Sequence, residues 1–409
     1  MKLNIELIAK FHVSRKSKIL ATSCQNLLAG SVDGGEDILE KVGEPPSRRR
    51  AADTLRMSGG HLQREAGEQS EPARRAKGRF YVAKSFAIGS ILLCICSFLF
   101  AGCSDSSSTS VNAWMAQNGK LKLLSTTAMI DDIVEQIGKE RIDHIPLIIG
   151  EMDPHSYELV KGDDEKLLSA TIIFYNGLGL EHGASLRYQI EHHSRTCGVG
   201  DFVLKQHPEL ILHSDHAIDP HIWMDVSLWS QIVEPIVQAL SDADPAGKEI
   251  YREYGQQVLE KMMREHRAIY ADLQQVPQEK RFLVTSHDAF HYFTRAYLAT
   301  PDETTQGEWQ KRCDAPEGLA PDGQLSAADI QKIVNHLVEY RIHVVFPESN
   351  VSRDSLKKIV HACAQKGLEV AISQEPLYAD AMGPKGSDAD TYLKMMRHDA
   401  NVLIEDWKK

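Results

Sequence analysis

From residue 120 to the end of the chain, short runs of branched apolar residues alternate with longer segments whose apolar residues recur every three or four positions. The short runs predict buried strands, and the longer segments predict amphipathic helices. Strands are predicted at 120–129, 145–150, 171–177, 208–214, 281–286, 342–349 and 368–374. Helices are predicted at 130–142, 226–242, 288–297, 327–341 and 352–367, with a terminal helix from about Asp390. This order predicts an α/β protein whose sheets are parallel and covered on both faces.

One segment is much longer than the other predicted helices. Between about 244 and 273, the apolar residues fall mostly three or four positions apart, with no Pro or Gly after Gly255. A helix of this length spans roughly 45 Å and would join two lobes as a stiff rod. We therefore expect a first lobe at 120–243, a linking helix at 244–274 and a second lobe at 275–409. A single helical connection favours small local rearrangements over wide hinge closure.

The segment before the first lobe resembles an export signal. An uncharged run at 86–101 follows Lys84, is too short for a confident membrane span and fits the apolar core of a signal peptide. It ends in "LFAGC", which resembles the processing box of bacterial lipoproteins, and a Ser/Thr-rich stretch follows. We expect a signal peptide at 82–102, lipidation of Cys103 and a flexible tether at 103–119. A plain membrane anchor is the alternative.

The residues upstream of this signal are polar and rich in arginine. Because signal peptides begin near the start of a chain, we expect residues 1–81 to be a disordered extension or the result of a start codon placed too far upstream. Val82, or a residue close to it, would then be the true initiator.

Charge is distributed unevenly along the 409 residues. Residues 1–102 carry a net charge of +6, whereas residues 103–409 carry −17. An acidic body argues against a nucleic-acid partner. Apart from Cys103, this body has three cysteines, Cys197, Cys313 and Cys363, which allow at most one internal disulfide.

Candidate chemistry lies in the loops after predicted strands, where parallel sheets bind ligands. The tripeptide Asp-Pro-His occurs twice, ending at His155 and His221; His287 directly follows a strand, and Asp380 follows another. The first two belong to the first lobe and the last two to the second. Three imidazoles and one carboxylate can complete the coordination of one transition-metal ion. A pair formed by His287 and His291, one helical turn apart, is a minor alternative.

Nearby acidic residues are candidates for orienting the ligands. Asp153, Asp219 or Asp225 could accept the second ring N–H of a ligand histidine, and we favour Asp225 as the partner of His221. Glu348 ends a predicted strand near the cleft, where it either caps the next helix or supports the site. Metal capture would weaken in acid as the histidines become protonated.

Five segments together resemble one known family. "DPHSYE", "DPHIWMD", "TSHDAFHYF", "APEGLAP" and "LYADAMG" are similar, in the same order, to signature segments of the cluster A-I metal-binding proteins of ABC importers. The resemblance extends from about Lys120 to the C-terminus. It implies two Rossmann-like lobes joined by one rigid helix, with the metal between them. It also implies that His155, His221, His287 and Asp380 are the four ligands.

The resemblance implies a non-enzymatic, lipid-anchored and monomeric receptor in the cell envelope. It would capture zinc, manganese or iron and deliver the ion to an ABC permease and its ATPase. Histidine at position 287 favours zinc, but the chain lacks the long His-rich loop of many zinc-specific members. The alternatives are a zinc-dependent hydrolase, a binding protein for an organic iron or cobalamin ligand, and a surface adhesin.

Overall fold

The computed structural model describes residues 106–214, 217–321 and 325–409. The predicted extension, signal peptide and Cys103 lie outside these ranges. The α-helices are α1 Ser106–Met115, α2 Ala128–Gly138, α3 Asp163–Ser169, α4 Ala184–His192, α5 Val199–Gln206, α6 Val226–Trp229, α7 Val233–Ala243, α8 Lys248–Leu273, α9 His291–Phe293, α10 Pro301–Gln306, α11 Ala327–Tyr340, α12 Asp354–Gln365 and α13 Tyr392–Lys408. The strands are β1 Leu121–Ser125, β2 Ile142–Pro146, β3 Ile172–Tyr175, β4 Thr196–Gly198, β5 His213–Ser214, β6 Ala217–Ile218, β7 Leu283–Val284, β8 Cys313–Asp314, β9 Val344–Val345 and β10 Ala371–Ile372.

Helix α1 occupies part of the segment expected to be a flexible tether. Its Trp114 is 4% exposed, and the indole Nε1 donates a hydrogen bond to the backbone oxygen of Asp143, 3.1 Å away, in β2. Burial of an aromatic ring with a satisfied polar group holds this end of the segment against the first sheet. None of the helices in the described ranges has the length and apolarity that a membrane span requires.

The first lobe is built on a parallel sheet with the strand order β2-β1-β3-β4. Leu123 and Leu124 point to opposite faces of the central strand β1, and both are fully buried. A strand covered on both faces explains why the sequence reads as a continuous apolar run rather than an alternating pattern.

The second lobe repeats this arrangement with shorter strands. The parallel pairs β7–β8 and β9–β10 are joined by a hydrogen bond from the Phe346 amide to the Val284 oxygen, at 2.8 Å. The strand order is therefore β8-β7-β9-β10. In both lobes the first strand lies between the second and the third, so each sheet has a point where its strand order reverses. Ligands bind beyond the carboxyl ends of strands at such points.

Helix α8 is the predicted long helix, and its 26 residues span about 39 Å. Its buried positions include Tyr251, Val258, Met262 and Ile269, which belong to the largest hydrophobic cluster of the described residues. That cluster takes side chains from both halves of the chain, whereas two smaller clusters lie within single lobes. The linking helix is therefore part of a core that both lobes share.

The α/β architecture predicted from the sequence is confirmed, but several segments differ in detail, among them 208–214, 145–150 and 288–297. Residues 208–214 form a 3-10 turn and a two-residue strand, β5, which pairs antiparallel with β6. The strand predicted at 145–150 ends as β2 at Pro146, because the chain turns away toward Gly150, whose φ is +66°. The helix predicted at 288–297 is a short turn followed by a π-helix, Thr294–Leu298.

Gly255 provides a test of how α8 packs on α7. A Cβ at this position would lie 2.7 Å from Val237 Cγ2, far inside a normal carbon–carbon contact, and Val side chains cannot readily rotate away. Alanine gains about 0.5–1 kcal/mol over glycine in a helix, but overpacking costs about 1–3 kcal/mol. We expect Gly255→Ala to lower the free energy of unfolding in urea titrations. Exposed Gln256→Ala, the control, should stay within about 0.5 kcal/mol of wild type; a stabilised Gly255→Ala would contradict this packing.

Candidate metal centre

Four side chains that the sequence singled out meet between the two lobes. His155 lies in the loop after β2, and His221 follows β6; His287 comes three residues after β7, and Asp380 lies in the loop after β10. All four are buried, with residue exposures of 4% or less. The loops that leave the carboxyl ends of the strands in both lobes thus supply one cluster.

The cluster has the dimensions of a site for a single ion. One donor atom from each of the four residues lies within 4.8 Å of the other three. His155 Nε2 is 3.2 Å from His221 Nε2, and Asp380 Oδ2 is 3.2 Å from His287 Nε2. His221 Nε2 is 3.6 Å from Asp380 Oδ1. Two ligands about 2.0–2.1 Å from a tetrahedral ion are about 3.3 Å apart, so this spacing suits one transition metal.

The orienting partner of His221 is Asp219, not the predicted Asp225. Asp219 Oδ1 lies 2.7 Å from His221 Nδ1, and its Oδ2 lies 3.0 Å from His291 Nδ1. Burial opposes ionisation of Asp219, but the hydrogen bonds from His221 and His291 outweigh it and hold its pKa well below 3.8. Asp225 instead accepts the Ser227 and Leu228 amides as the N-cap of α6, which directs its carboxylate away from His221. His291 therefore contacts the site through Asp219 rather than as a ligand beside His287.

Glu348 supports His287 in the second lobe. Its Oε1 accepts hydrogen bonds from the backbone amides of Ser286 and His287, and its Oε2 lies 2.5 Å from His287 Nδ1. The capping alternative does not hold, because α12 begins only at Asp354. Glu348 lies three residues after β9, the neighbour of β7, so the two residues meet where the strand order of this sheet reverses.

His155 is held through its backbone. Asp153 Oδ1 accepts the amide of His155 at 2.8 Å, and the carbonyl oxygen of His155 accepts the amides of His182 and Gly183, each at 3.2 Å. Asp153 thus fixes the turn rather than the imidazole ring. A Cβ on Gly183 would lie 2.0 Å from the Tyr157 oxygen, so this close approach requires glycine.

The charges in the cluster balance one another. Burial opposes ionisation of Asp380, but the neighbouring His287 outweighs it and lowers the pKa of the carboxyl below 3.8. Burial would also lower the pKa of His287, yet Glu348 and Asp380 raise it well above 6.5. Burial lowers the pKa of His155 to about 3, so that imidazole is neutral and free to coordinate. Asp380 Oδ1 is buried and accepts no hydrogen bond from the described residues, which leaves a lone pair for an ion.

Buried hydrogen bonds hold the loops of the two lobes together. Trp223 Nε1 donates to the oxygen of Ala379 at 2.7 Å, and the Tyr392 hydroxyl donates to the oxygen of Trp223 at 2.6 Å. The Tyr292 hydroxyl donates to the oxygen of Asp219 at 3.0 Å. Each bond fixes a residue within two positions of His221 or Asp380. The spacing of apolar residues in the sequence gives no signal for this role of the aromatic side chains.

Helix α13 anchors the loop that carries Asp380. Asp399 Oδ1 accepts the amide of Tyr378 at 2.9 Å, and His398 Nε2 lies 3.1 Å from the oxygen of Pro376. Burial raises the pKa of Asp399 to about 8, so its carboxyl is mostly neutral at physiological pH. Asp399 is a polar residue on the buried, apolar face of α13, and this position in the sequence could have indicated its role.

A second buried carboxylate organises the first lobe. Glu181 Oε1 accepts the Thr126 hydroxyl and the Asn176 amide, each at 2.7 Å, and Oε2 accepts the Gly177 amide at 3.0 Å. Asn176 Nδ2 in turn donates to the oxygen of Pro220, next to His221, at 3.1 Å. Glu181 thus joins the ends of β1 and β3, where the strand order of this sheet reverses, and braces the His221 loop.

Comparisons with known proteins agree with this architecture. Residues 124–406 match the sequence model of the family described as ZnuA, zinc-uptake complex component A, periplasmic. The chain is 35% identical over 319 residues to the metal-binding protein YtgA of Chlamydia muridarum, which covers 78% of this chain and 94% of YtgA. It is 30% identical over 311 residues to the manganese-binding lipoprotein MntA of Bacillus subtilis, covering 76% and 95%.

A solved structure shows the same fold. The crystal structure of Fe(III)-bound YtgA from Chlamydia trachomatis is similar, with a TM-score of 0.66 and 36% sequence identity. The match covers 70% of this chain and 97% of that one, so nearly the whole of the YtgA structure has a counterpart here.

Asp219 and Asp225 give a direct test of how His221 is oriented. Asp219→Ala removes the carboxylate at His221 Nδ1, and we expect metal affinity to fall about 10- to 100-fold in competition titrations with a chelator. Asp225→Ala removes a helix cap and a 3.7 Å contact with His266, and neither belongs to the cluster, so it should lower the free energy of unfolding by about 1 kcal/mol and leave the affinity unchanged. A larger loss of affinity in Asp225→Ala would overturn the assignment.

Asp399 gives a second test, of the loop that carries Asp380. Asp399→Leu leaves the amide of Tyr378 without its acceptor, which costs about 1–3 kcal/mol and loosens the loop. We expect weaker metal binding in calorimetric titrations. Asp399→Asn retains an acceptor and replaces a mostly neutral carboxyl, so it should bind nearly as wild type. If Asp399→Leu loses stability but keeps its affinity, α13 does not set the position of Asp380.

Proposed function

We propose a transport function for this chain on the basis of the family to which it belongs, the ZnuA family of periplasmic zinc-uptake components. The chain is an extracytoplasmic solute-binding protein that captures a transition-metal ion and delivers it to an ABC importer. The observation that carries this proposal is the buried cluster of three imidazoles and one carboxylate whose donor atoms lie within 4.8 Å of one another.

His155, His221, His287 and Asp380 are the metal ligands in this proposal. Two ligands come from each lobe, so the ion would bridge the lobes. The carboxylates Asp219 and Glu348 at the Nδ1 atoms of His221 and His287 support the assignment, because a ligand histidine commonly directs its second nitrogen to a carboxylate. In this proposal the lobes span 120–243 and 275–409, and the linking helix at 244–274 joins them.

The transported ion is zinc, manganese or iron. Three nitrogens and one carboxylate bind all three metals, and at such a site affinity favours zinc over ferrous iron and manganese. The names of the similar proteins cover the same range, with manganese for MntA and Fe(III) for the YtgA structure. Metal supply in the cell envelope then decides which ion is carried.

The chain acts as a carrier rather than as an enzyme. A zinc hydrolase needs an open coordination position for water and a general base beside it. Here four protein donors surround the site, and both carboxylates next to the histidines are engaged by ring nitrogens or backbone amides. Closed coordination suits capture and release of the ion.

The mature protein is a monomer that is exported and held to a membrane by lipid on Cys103. This part of the proposal rests on the "LFAGC" segment and on similar proteins that are named lipoproteins. An ABC permease and its ATPase are the partners. The net charge of −17 on residues 103–409 argues against a nucleic-acid partner.

The ligand assignment predicts the metal content of four variants. We expect wild-type protein to hold one ion per chain by mass spectrometry, and His155→Ala, His221→Ala, His287→Ala and Asp380→Ala each to lose most of it. Metal at 100 times its dissociation constant should stabilise the wild-type fold by about 2.7 kcal/mol. That increase in melting temperature should vanish in His221→Ala.

Exposed His192→Ala is the matched control and should keep its full metal content. If all four ligand variants keep full stoichiometry, the site lies elsewhere. Hydrolytic turnover by the zinc-loaded protein would favour the hydrolase alternative instead.

A further inference from the structure

The four proposed ligands are not equally enclosed. The side chains of His221, His287 and Asp380 have no solvent exposure, whereas that of His155 retains 2%. His155 also differs at its second nitrogen, because no carboxylate of the described residues forms an ion pair with its Nδ1. His155 is therefore the one of the four whose side chain retains contact with solvent.

An exposed imidazole packs close to the ring of His155. The ring centroid of His182 lies 5.8 Å from that of His155, with an angle of 53° between the planes. Within the proposed site, the centroids of the three histidine pairs are 5.1–6.2 Å apart, so His182 is placed relative to His155 as one ligand is placed relative to another. His182 is exposed, whereas His155 is buried.

The backbone of His182 is fixed while its side chain is free to coordinate. The amide donates to the oxygens of His155 and Leu180, at 3.2 and 2.9 Å. The preceding residue, Glu181, is buried in the hydrogen-bond network described above. On the ring, Nδ1 has only a long contact of 3.4 Å with the oxygen of Gly179, and Nε2 has no hydrogen-bond partner among the described residues.

We propose that His182 is a transient metal ligand that binds the incoming ion at the mouth of the site and passes it to His155. This inference rests on the proposed function. An aqua ion arriving at the surface exchanges one water for His182 Nε2, and then exchanges further waters for the buried donors. His182 finally dissociates and leaves the four-residue site closed. A transient ligand lowers the barrier in both directions, so it speeds association and dissociation together and leaves the affinity unchanged.

Other exposed histidines do not share this geometry. The ring of His192 stacks on Tyr188 at 4.0 Å, and its Nδ1 lies 2.7 Å from the Tyr188 oxygen. No ring contact joins His192 to a proposed ligand in the described part of the chain. His192 is therefore a matched control for surface charge and for nonspecific metal binding.

Stopped-flow mixing of the metal-free protein with Zn²⁺ tests the inference. Trp223, whose ring centroid is 5.2 Å from that of His221, provides a fluorescence signal at the site. We expect His182→Gln to reduce the association and dissociation rate constants about fivefold each, with the equilibrium constant changed less than about twofold. His182→Asp restores a metal-binding side chain and should recover most of the rate, whereas His192→Gln should match wild type.

Unchanged association and dissociation rates in His182→Gln would overturn the inference. A weakened affinity with an unchanged association rate would also overturn it, since His182 would then belong to the equilibrium site. A melting temperature equal to that of wild type ensures that the variant is folded. If wild-type protein itself fails to bind Zn²⁺, the proposed function fails, and that outcome is distinct from the failure of His182 alone.

Discussion

The close approach of three imidazoles and one carboxylate, almost wholly removed from water, is the constraint on which the rest of the structure depends. Such a group is costly to bury, because a charged side chain loses its hydration and polar atoms lose their partners. Asp219 and Glu348 offset part of this cost by taking the second nitrogens of His221 and His287. The backbone amides of Ser286 and His287 in turn donate hydrogen bonds to Glu348, so the polar contacts extend from the cluster to the residues that follow the strands. An ion would complete the compensation that these residues begin.

The two lobes share one strand order, but they support their histidines through different contacts. Each sheet places its first strand between the second and the third, and a buried glutamate occupies the point where the order reverses. In the second lobe, Glu348 contacts the imidazole of His287 directly. In the first lobe, Glu181 ties together backbone and hydroxyl groups and supports His221 only through Asn176 and Pro220. A shared core that includes α8, together with the hydrogen bonds of Trp223 and Tyr392, then sets one lobe against the other.

A carrier must hold an ion firmly and also release it. The four residues of the cluster differ in how they are held, and this difference bears on both requirements. Three donors are fully enclosed and braced by carboxylates or aromatic hydrogen bonds, which favours retention. His155 is held by hydrogen bonds of its backbone and has exposed His182 near its ring, and the proposed transfer places the exchange of the ion at this ligand. The single linking helix lies within the common core, so release through small movements of the ligand loops is easier to accommodate than separation of whole lobes.

The sequence by itself determined the fold class, the long helix and the four candidate ligands. Strand and helix periodicity depends on local spacing, and loops after parallel strands converge by topology, so His155, His287 and Asp380 could be selected without coordinates. His221 follows an antiparallel strand, and the repeated Asp-Pro-His tripeptide was the signal that selected it. Only the tertiary structure decided which side chains orient them. Asp219 and Asp225 are both close to His221 in sequence, but the start of α6 takes Asp225 as its cap and leaves Asp219 facing the imidazole. Asp399 reaches the amide of Tyr378 because α13 packs against that loop, and His182 lies near His155 because the backbones of the two residues are hydrogen-bonded. Both contacts join residues that are distant in sequence, so no local pattern predicts them.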